Sequence, residues 1–250
     1  MANKKDAKMP LVCAVIPTWN RTDDLADAVE SLLQSKYDNL HIIVVDNGST
    51  DGSAERMRND YPSVQLIEMS SNKGAAIASN AGIKQALSQS ADYVLRMDSD
   101  ITLEPEALKH MVEFAQSHRD VGMVYPKILR YDNPRLIWFI GAHYHPVFLI
   151  KGGKTQNLPD ENYDEPADVD FIASAAVLLS AESLKTVGLF DERFFVYGED
   201  TDLCLRYRKA GYRIVFFPKA KSRHKIGAEN PGNFSSYQQF RGLVIFYAKH

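Results

Sequence analysis

Short apolar runs alternate with amphipathic ones through the first half of the chain. LVCAVIP from Leu11, HIIVVD from His41, VQLIEM from Val64 and YVLRMD from Tyr93 are rich in β-formers, and each ends in polar or turn-forming residues. They predict buried parallel strands. Between the first two, Leu25, Ala28, Val29, Leu32 and Leu33 recur at helical spacing behind Thr22, Asp23 and Asp24, whose polarity suits a helix N-terminus. GAAIASNAGIKQALSQ from Gly74 and PEALKHMVEFAQSH from Pro105 repeat that pattern. Strand and helix in alternation predict right-handed crossovers and an α/β, doubly wound, mostly parallel sheet flanked by helices, whose ligands bind beyond the carboxyl ends of the strands. After about Val121 the rhythm changes. A strand-like VGMVYPKIL, an aromatic LIWFIGAHYH, a Gly/Pro/Asp-rich stretch from Gly152 to Asp168 and another strand, VDFIASAAVLLS, predict a smaller mixed subregion.

Composition narrows the choice of partner. The chain has 250 residues, 45% of them hydrophobic and 24% charged, which is ordinary globular material for one large core. A formal net charge of -3, with both signs evenly mixed, leaves no basic stripe for a phosphodiester backbone, so no nucleic-acid partner is expected. Cys13 and Cys204 each stand alone in an apolar stretch, which argues against a disulfide or zinc framework and for a reducing cytoplasm. MANKKDAKMP lacks a signal-peptide run, and no stretch has the apolar length of a membrane span. The final SSYQQFRGLVIFYAKH reads as an aromatic and basic surface helix, which leaves peripheral contact with the cytoplasmic face of a membrane open.

Three groups of residues could carry chemistry. In RMDSDIT, Asp98 and Asp100 flank Ser99 directly after an apolar strand, a placement suited to a hard cation such as Mn²⁺ or Mg²⁺ that bridges and neutralises a diphosphate. A solvated turn is an equally weighted reading of that motif alone. In VYGEDTDLCLRYR, Glu199, Asp200 and Asp202 crowd behind a turn glycine, and mutual repulsion with partial burial raises a carboxylate toward use as a base. For Asp202 a helix-end pairing with Arg206 is preferred. Finally, Pro17, Thr18 and Asn20, then Asp46 to Ser49, then Asn72, Lys73 and Gly74 follow successive strands and would converge as a pocket; singly, each is turn chemistry. His224 in KSRHKIG is a further imidazole near a strand end, and Trp138, Phe139, His143 and Tyr144 read as core rather than as a sugar-stacking wall.

VIPTWNR, VVDNGSTDGS, NKGAAIASNAGI, RMDSDITLEP, FIASAAVLLS with VGLFDERFFVYGEDTDLCLR, and GYRIVFFPKAKSRHKIG stand in the order of one family. The chain resembles the family 2 inverting glycosyltransferases of GT-A fold, in particular a rhamnosyltransferase-like branch, from about Leu11 to Gly227. That resemblance implies a tail over 1–10, a GT-A domain over 11–227 with a nucleotide-binding half (11–120) and an acceptor half (121–227), and a helical segment over 228–250. It implies nucleotide-sugar contacts from Pro17, Thr18, Asn20, Asp46, Asn72, Lys73, Asp98 and Ser99, with Asp46 beside the base. It further implies a Mn²⁺ or Mg²⁺ ion on Asp98, Asp100 and His224, and Asp200 as general base next to Glu199. The donor would be a UDP- or dTDP-sugar, which the residues leave tied, and the acceptor a glycan or a lipid-linked sugar. Ala175 stands where relatives often carry glycine, a change that would narrow the acceptor pocket.

Other readings compete. DSDIT also fits the D-x-D-x-T signature of haloacid-dehalogenase-like phosphatases, with Asp98 as nucleophile, although that signature normally follows the first strand. A sugar-1-phosphate nucleotidyltransferase would need a Gly-rich loop where PTWNRTDD has no glycine. A non-catalytic nucleotide-sugar binder could dispense with the carboxylate at Asp200.

Overall fold

The computed structural model describes residues 9–144, 155–225 and 232–250. The predicted tail up to residue 8, the start of the Gly152 stretch and the boundary at 227/228 lie outside the described residues. The chain runs β1 (Val12–Thr18), α1 (Thr22–Leu33), β2 (Leu40–Asp46), α2 (Ser53–Asp60), β3 (Gln65–Glu68), α3 (Ala75–Ser88), β4 (Tyr93–Met97), β5 (Ile101–Leu103) and α4 (Ala107–Ser117). It continues through β6 (Val121–Arg130), β7 (Leu136–Phe139), β8 (Gln156–Pro159), β9 (Ala167–Val169), β10 (Ala176–Ser180), α5 (Ala181–Val187), α6 (Glu199–Lys209), β11 (Arg213–His224) and α7 (Asn233–Lys249).

The four strands expected in the first half are present and parallel, in the order β3-β2-β1-β4. The near-continuous burial of β1, β2 and β4, complete for Val12 to Ile16, is what a parallel sheet covered on both faces requires, while β3 at the edge stays partly exposed. β10 then enters antiparallel between β4 and β6, and β11 runs parallel to β6, so the central sheet is mostly parallel with β10 reversed, and the short strands β5, β7, β8 and β9 join it antiparallel. That reversal brings the carboxyl end of β4 beside the amino end of β10, and Asp98 N–H donates to the Ala175 carbonyl at 2.7 Å.

Three expectations change. The run VDFIASAAVLLS is not one strand: β9 pairs with β11, residues between it and β10 turn, and Ala176–Ser180 lies between β4 and β6. His224 does not follow the last strand but ends it, because β11 continues past Pro218 through an irregularity between Phe217 and Lys221. Helix α2 was not foreseen. Asp51 makes it: its carboxylate accepts from Ser53 N–H (3.1 Å) and Ser53 Oγ (2.5 Å) at the start of α2, and from Thr22 N–H (3.0 Å) at the start of α1. One carboxylate thus caps two helices from the neighbouring loop, satisfying N–H groups that α1's own first residues leave open.

Candidate active site

The strand-end loops are tied to one another before they meet any ligand. Asn20, at φ 52°, accepts from Thr50 N–H (2.8 Å) while its own N–H donates to Ser49 Oγ (2.9 Å), locking the loop after β1 to the loop after β2. Asn47 bonds to Asn72 Oδ1 (3.0 Å) and accepts from Lys73 N–H (2.9 Å), which joins the loop after β2 to the loop after β3. Gly74, at φ 92°, has room only for hydrogen: a Cβ there would sit 2.5 Å from the Phe195 carbonyl oxygen. Ala75 N–H donates to that oxygen at 2.6 Å, so the start of α3 holds the segment leading to α6.

These loops border a cleft of about 550 Å³ lined in part by Pro17, Thr18, Asn20, Asn72, Arg96, Asp98, Ser99 and Asp100, with Phe195, Val196 and Tyr197 opposite and Phe234 and Ser235 of α7 at the rim. Thr18 is buried and its Oγ1 has no partner. The structure therefore gathers Pro17, Thr18, Asn20, Asn72, Asp98, Ser99 and Asp100 in one place. Asp46 and Lys73 do not line the cleft. The Asp46 carboxylate folds back to accept from Ser49 N–H at 3.2 Å, shaping the loop rather than facing the space.

Asp100 sits between His224 and Arg21, with Oδ1 3.3 Å from His224 Nε2 and Oδ2 3.2 Å from Arg21. Burial alone would raise this carboxyl; the His224 hydrogen bond and the His224 and Arg21 charges bring it below the ordinary range. Asp98 turns the other way, pairing with Arg96 at 2.6 Å. Burial pushes its carboxyl up, opposed by Arg96 and helped by Asp100. Among the described residues no three His, Cys, Asp or Glu side chains converge as a metal cluster. Yet the Asp100–His224 spacing is close to that of neighbouring ligands on a small octahedral ion, about 3 Å. His224 Nδ1 is buried without a partner. Trp138, set aside in the sequence, stacks its edge against the His224 ring at 4.4 Å and fixes its plane. The Asp98 and Asp100 carboxylates and the His224 imidazole are oxygen and nitrogen donors of the kind a divalent cation takes.

Glu199 and Asp200 open α6 behind Tyr197, at φ 67°, and Gly198, at φ 95°. Neither lines the cleft as shaped here. Asp200 accepts from Thr201 N–H at 2.7 Å, and burial raises its carboxyl against that bond and the Arg96 charge. Glu199 is buried with Oε2 unpartnered, and burial followed by repulsion from Asp200 pushes it up to about 8. Asp202 pairs with Arg206 at 2.9 Å as expected, and also with Lys249 (2.6 Å) and His250 (2.8 Å), pinning α7 to α6. Sequence reasoning missed two residues here. Arg96 sits inside the strand run that was taken as core, and Tyr125 on β6 is fully buried with its hydroxyl unpartnered, raised well above its usual value by burial and by the charges of Asp200 and Asp98.

The family model described as Glycosyl transferase family 2 matches residues 13–175. A dTDP-rhamnosyl transferase of Shigella flexneri is 26% identical over 217 residues, 86% of this chain and 69% of that protein. An N-acetylglucosaminyl-diphospho-decaprenol L-rhamnosyltransferase of Mycobacterium tuberculosis is 28% identical over 74% of this chain and 66% of its own length. A poly-beta-1,6-N-acetyl-D-glucosamine synthase of Staphylococcus aureus is 28% identical over 82% of this chain but 48% of its own length. The chain thus spans about half to about two thirds of these relatives. In fold it is similar to GalNAc-T7, solved with UDP, GalNAc and Mn²⁺ (TM-score 0.72, 16% identity, 97% of this chain and 51% of that one). It is also similar to a Pyrobaculum calidifontis mannosyltransferase solved with GDP-Man and Mn²⁺ (TM-score 0.67, 18% identity, 97% of this chain and 64% of that one). The architecture is that of the GT-A fold.

Proposed function

Because this chain belongs to glycosyl transferase family 2, we propose that it is an inverting, metal-dependent glycosyltransferase that moves a sugar from a UDP- or dTDP-sugar onto a hydroxyl of a glycan or lipid-linked acceptor. The observation that carries this reading is the cleft at the carboxyl ends of β1 and β4, lined by Asp98, Ser99 and Asp100 and by the segment Phe195 to Tyr197, which leads into Glu199 and Asp200. The similarity to rhamnosyltransferases favours a deoxyhexose donor and synthesis of a surface glycan.

Asp98, Asp100 and His224 would hold a Mn²⁺ or Mg²⁺ ion, whose charge neutralises the departing diphosphate. Thr18 offers its unpartnered hydroxyl and Asn20 and Asn72 their locked loops to the nucleotide, while Asp46 shapes the loop that receives the base. Lys73, in the same loop as Asn72, adds positive charge for the diphosphate. Asp200 takes the proton from the acceptor hydroxyl as the oxygen attacks the anomeric carbon from the face opposite the diphosphate, which inverts that centre. Burial raises this carboxyl toward the range useful for a base. Tyr144 Oη donates to the Thr201 carbonyl at 3.0 Å and steadies the turn that carries it.

Helix α7 exposes Tyr237, Phe240, Leu243, Val244 and Tyr247 and carries no acidic residue, which supports peripheral contact with an anionic membrane surface from which a lipid-linked acceptor would be presented. No described helix is long and apolar enough to cross a membrane. The test of the reaction is Asp200→Asn: transfer should fall by about 10²–10⁴-fold with nucleotide binding kept. Full transfer by that variant would remove the base assignment.

A further inference from the structure

Residues 188–198 join α5 to α6, form neither helix nor strand, and lead directly into Glu199 and Asp200. Phe190 and Phe194 are buried, but apolar burial is non-directional and does not by itself fix such a segment along its own length. Directional bonds fix it, and they come from α3. Asn80, 2% exposed, sets its side-chain amide against the backbone of Phe190, accepting from the N–H at 3.0 Å and donating to the carbonyl at 2.9 Å. Its Nδ2 also donates to Glu192 Oε1 (3.0 Å), which Lys84, one turn along α3, reaches at 3.3 Å. At the start of the same helix Ala75 N–H donates to the Phe195 carbonyl. α3 is in turn fixed to the strands of the first half, because Gly82 packs so closely that a Cβ there would overlap Val15 of β1. The loop that precedes α3 lines the cleft through Asn72 and Gly74, as Phe195 to Tyr197 do.

We propose that Asn80 is a positioning residue that holds the segment leading to the base in register with the loops that receive the donor. It does not line the cleft and acts only through Phe190 and Glu192. The inference rests on the assignment of Asp200 as base. The amide uses an acceptor and two donors at once, and a carboxylate of the same shape keeps only the acceptor. Asn80→Asp would therefore leave the Phe190 carbonyl unanswered in a buried place and set like charge against Glu192. A displacement of about 1 Å in a reacting geometry costs on the order of 10²-fold in rate.

The test compares wild type, Asn80→Asp, Asn80→Ala, Glu192→Ala and Asp200→Asn. Hydrogen exchange over residues 188–198 reads how firmly the segment is held. Calorimetric titration of dTDP and UDP with Mn²⁺ gives donor-site binding, and release of nucleoside diphosphate from dTDP-rhamnose and from UDP-N-acetylglucosamine, with octyl N-acetylglucosaminide as acceptor, gives kcat. The expected result in both Asn80 variants is faster exchange over 188–198 with that of β1 unchanged, nucleotide affinity kept, and kcat lowered by about 10²-fold. Wild-type kcat or wild-type exchange in Asn80→Asp overturns the proposal, as does a loss in kcat matched by an equal loss in nucleotide affinity. If neither Asn80 variant folds, Glu192→Ala, which removes one Asn80 bond at a half-exposed side chain, decides alone: kcat lowered with binding kept upholds the proposal, and unchanged kcat overturns it. If wild type transfers neither sugar to this acceptor, exchange over 188–198 decides by the same criteria. Transfer by wild type that Asp200→Asn loses keeps the reaction assignment standing whatever Asn80 does; transfer retained by Asp200→Asn removes that assignment, and this inference with it.

Discussion

Glu199 is held in its neutral form by the fold. Burial, and then the charge of Asp200, push it up to about 8, and its Oε2 finds no donor. Between the ordinary carboxylate range and pH 8 the folded chain keeps a proton there that the unfolded chain gives up. Folding therefore takes up a proton across that window, and stability falls as pH rises through it. Glu199→Gln removes the titration, so the melting temperature of wild type relative to this variant should drop between pH 5 and pH 8; a constant difference would contradict the burial argument. The crowding of carboxylates in YGEDTD is visible in sequence because repulsion acts between near neighbours. What sequence could not supply is which of them keeps a free oxygen and which cation answers them. Arg96 reaches the Ser174 carbonyl across 78 positions, and Asp202 finds Lys249 and His250 only because α7 folds back on α6. Asp46 stands at the expected strand end, and its carboxylate accepts from Ser49 N–H within the turn that follows, a bond that spacing alone does not reveal.

At the scale of elements, β1, β2 and β4 were readable because a parallel strand buried on both faces is a continuous apolar run. α2 was not, because it is short and strongly polar and buries only Ser53, Ala54 and Met57, so no apolar periodicity marks it. Helix α7 depends on a close approach that its sequence hides as well. Gly242 lies against the Tyr197 carbonyl so closely that a Cβ would overlap it. Alanine in a helix interior normally gains about 0.5–1 kcal/mol over glycine, but overpacking of this type costs about 1–3 kcal/mol. Gly242→Ala should therefore lower the melting temperature, and should lower transfer as well, because Tyr197 and Gly198 set the start of α6. A rise in melting temperature would show that α7 does not bear on that turn.

Across the whole molecule, the reversed β10 places Ala175 beside Asp98 at the end of β4, and the cleft forms at the carboxyl ends where open α/β sheets bind ligands. The exposed face of α7 adjoins that cleft through Phe234 and Ser235. Replacing Phe240 and Leu243 by glutamate should reduce co-sedimentation with anionic vesicles while nucleotide binding is unaffected; equal sedimentation would contradict the membrane contact. The central claim, that this cleft is a metal-assisted nucleotide-sugar site, is tested most directly by calorimetric titration of UDP and dTDP with and without Mn²⁺ on wild type and on Asp98→Ala/Asp100→Ala. The account predicts saturable binding of one of the two nucleotides that strengthens with Mn²⁺ and disappears in the double variant. Absence of binding under every condition, or binding that the double variant retains in full, would contradict it.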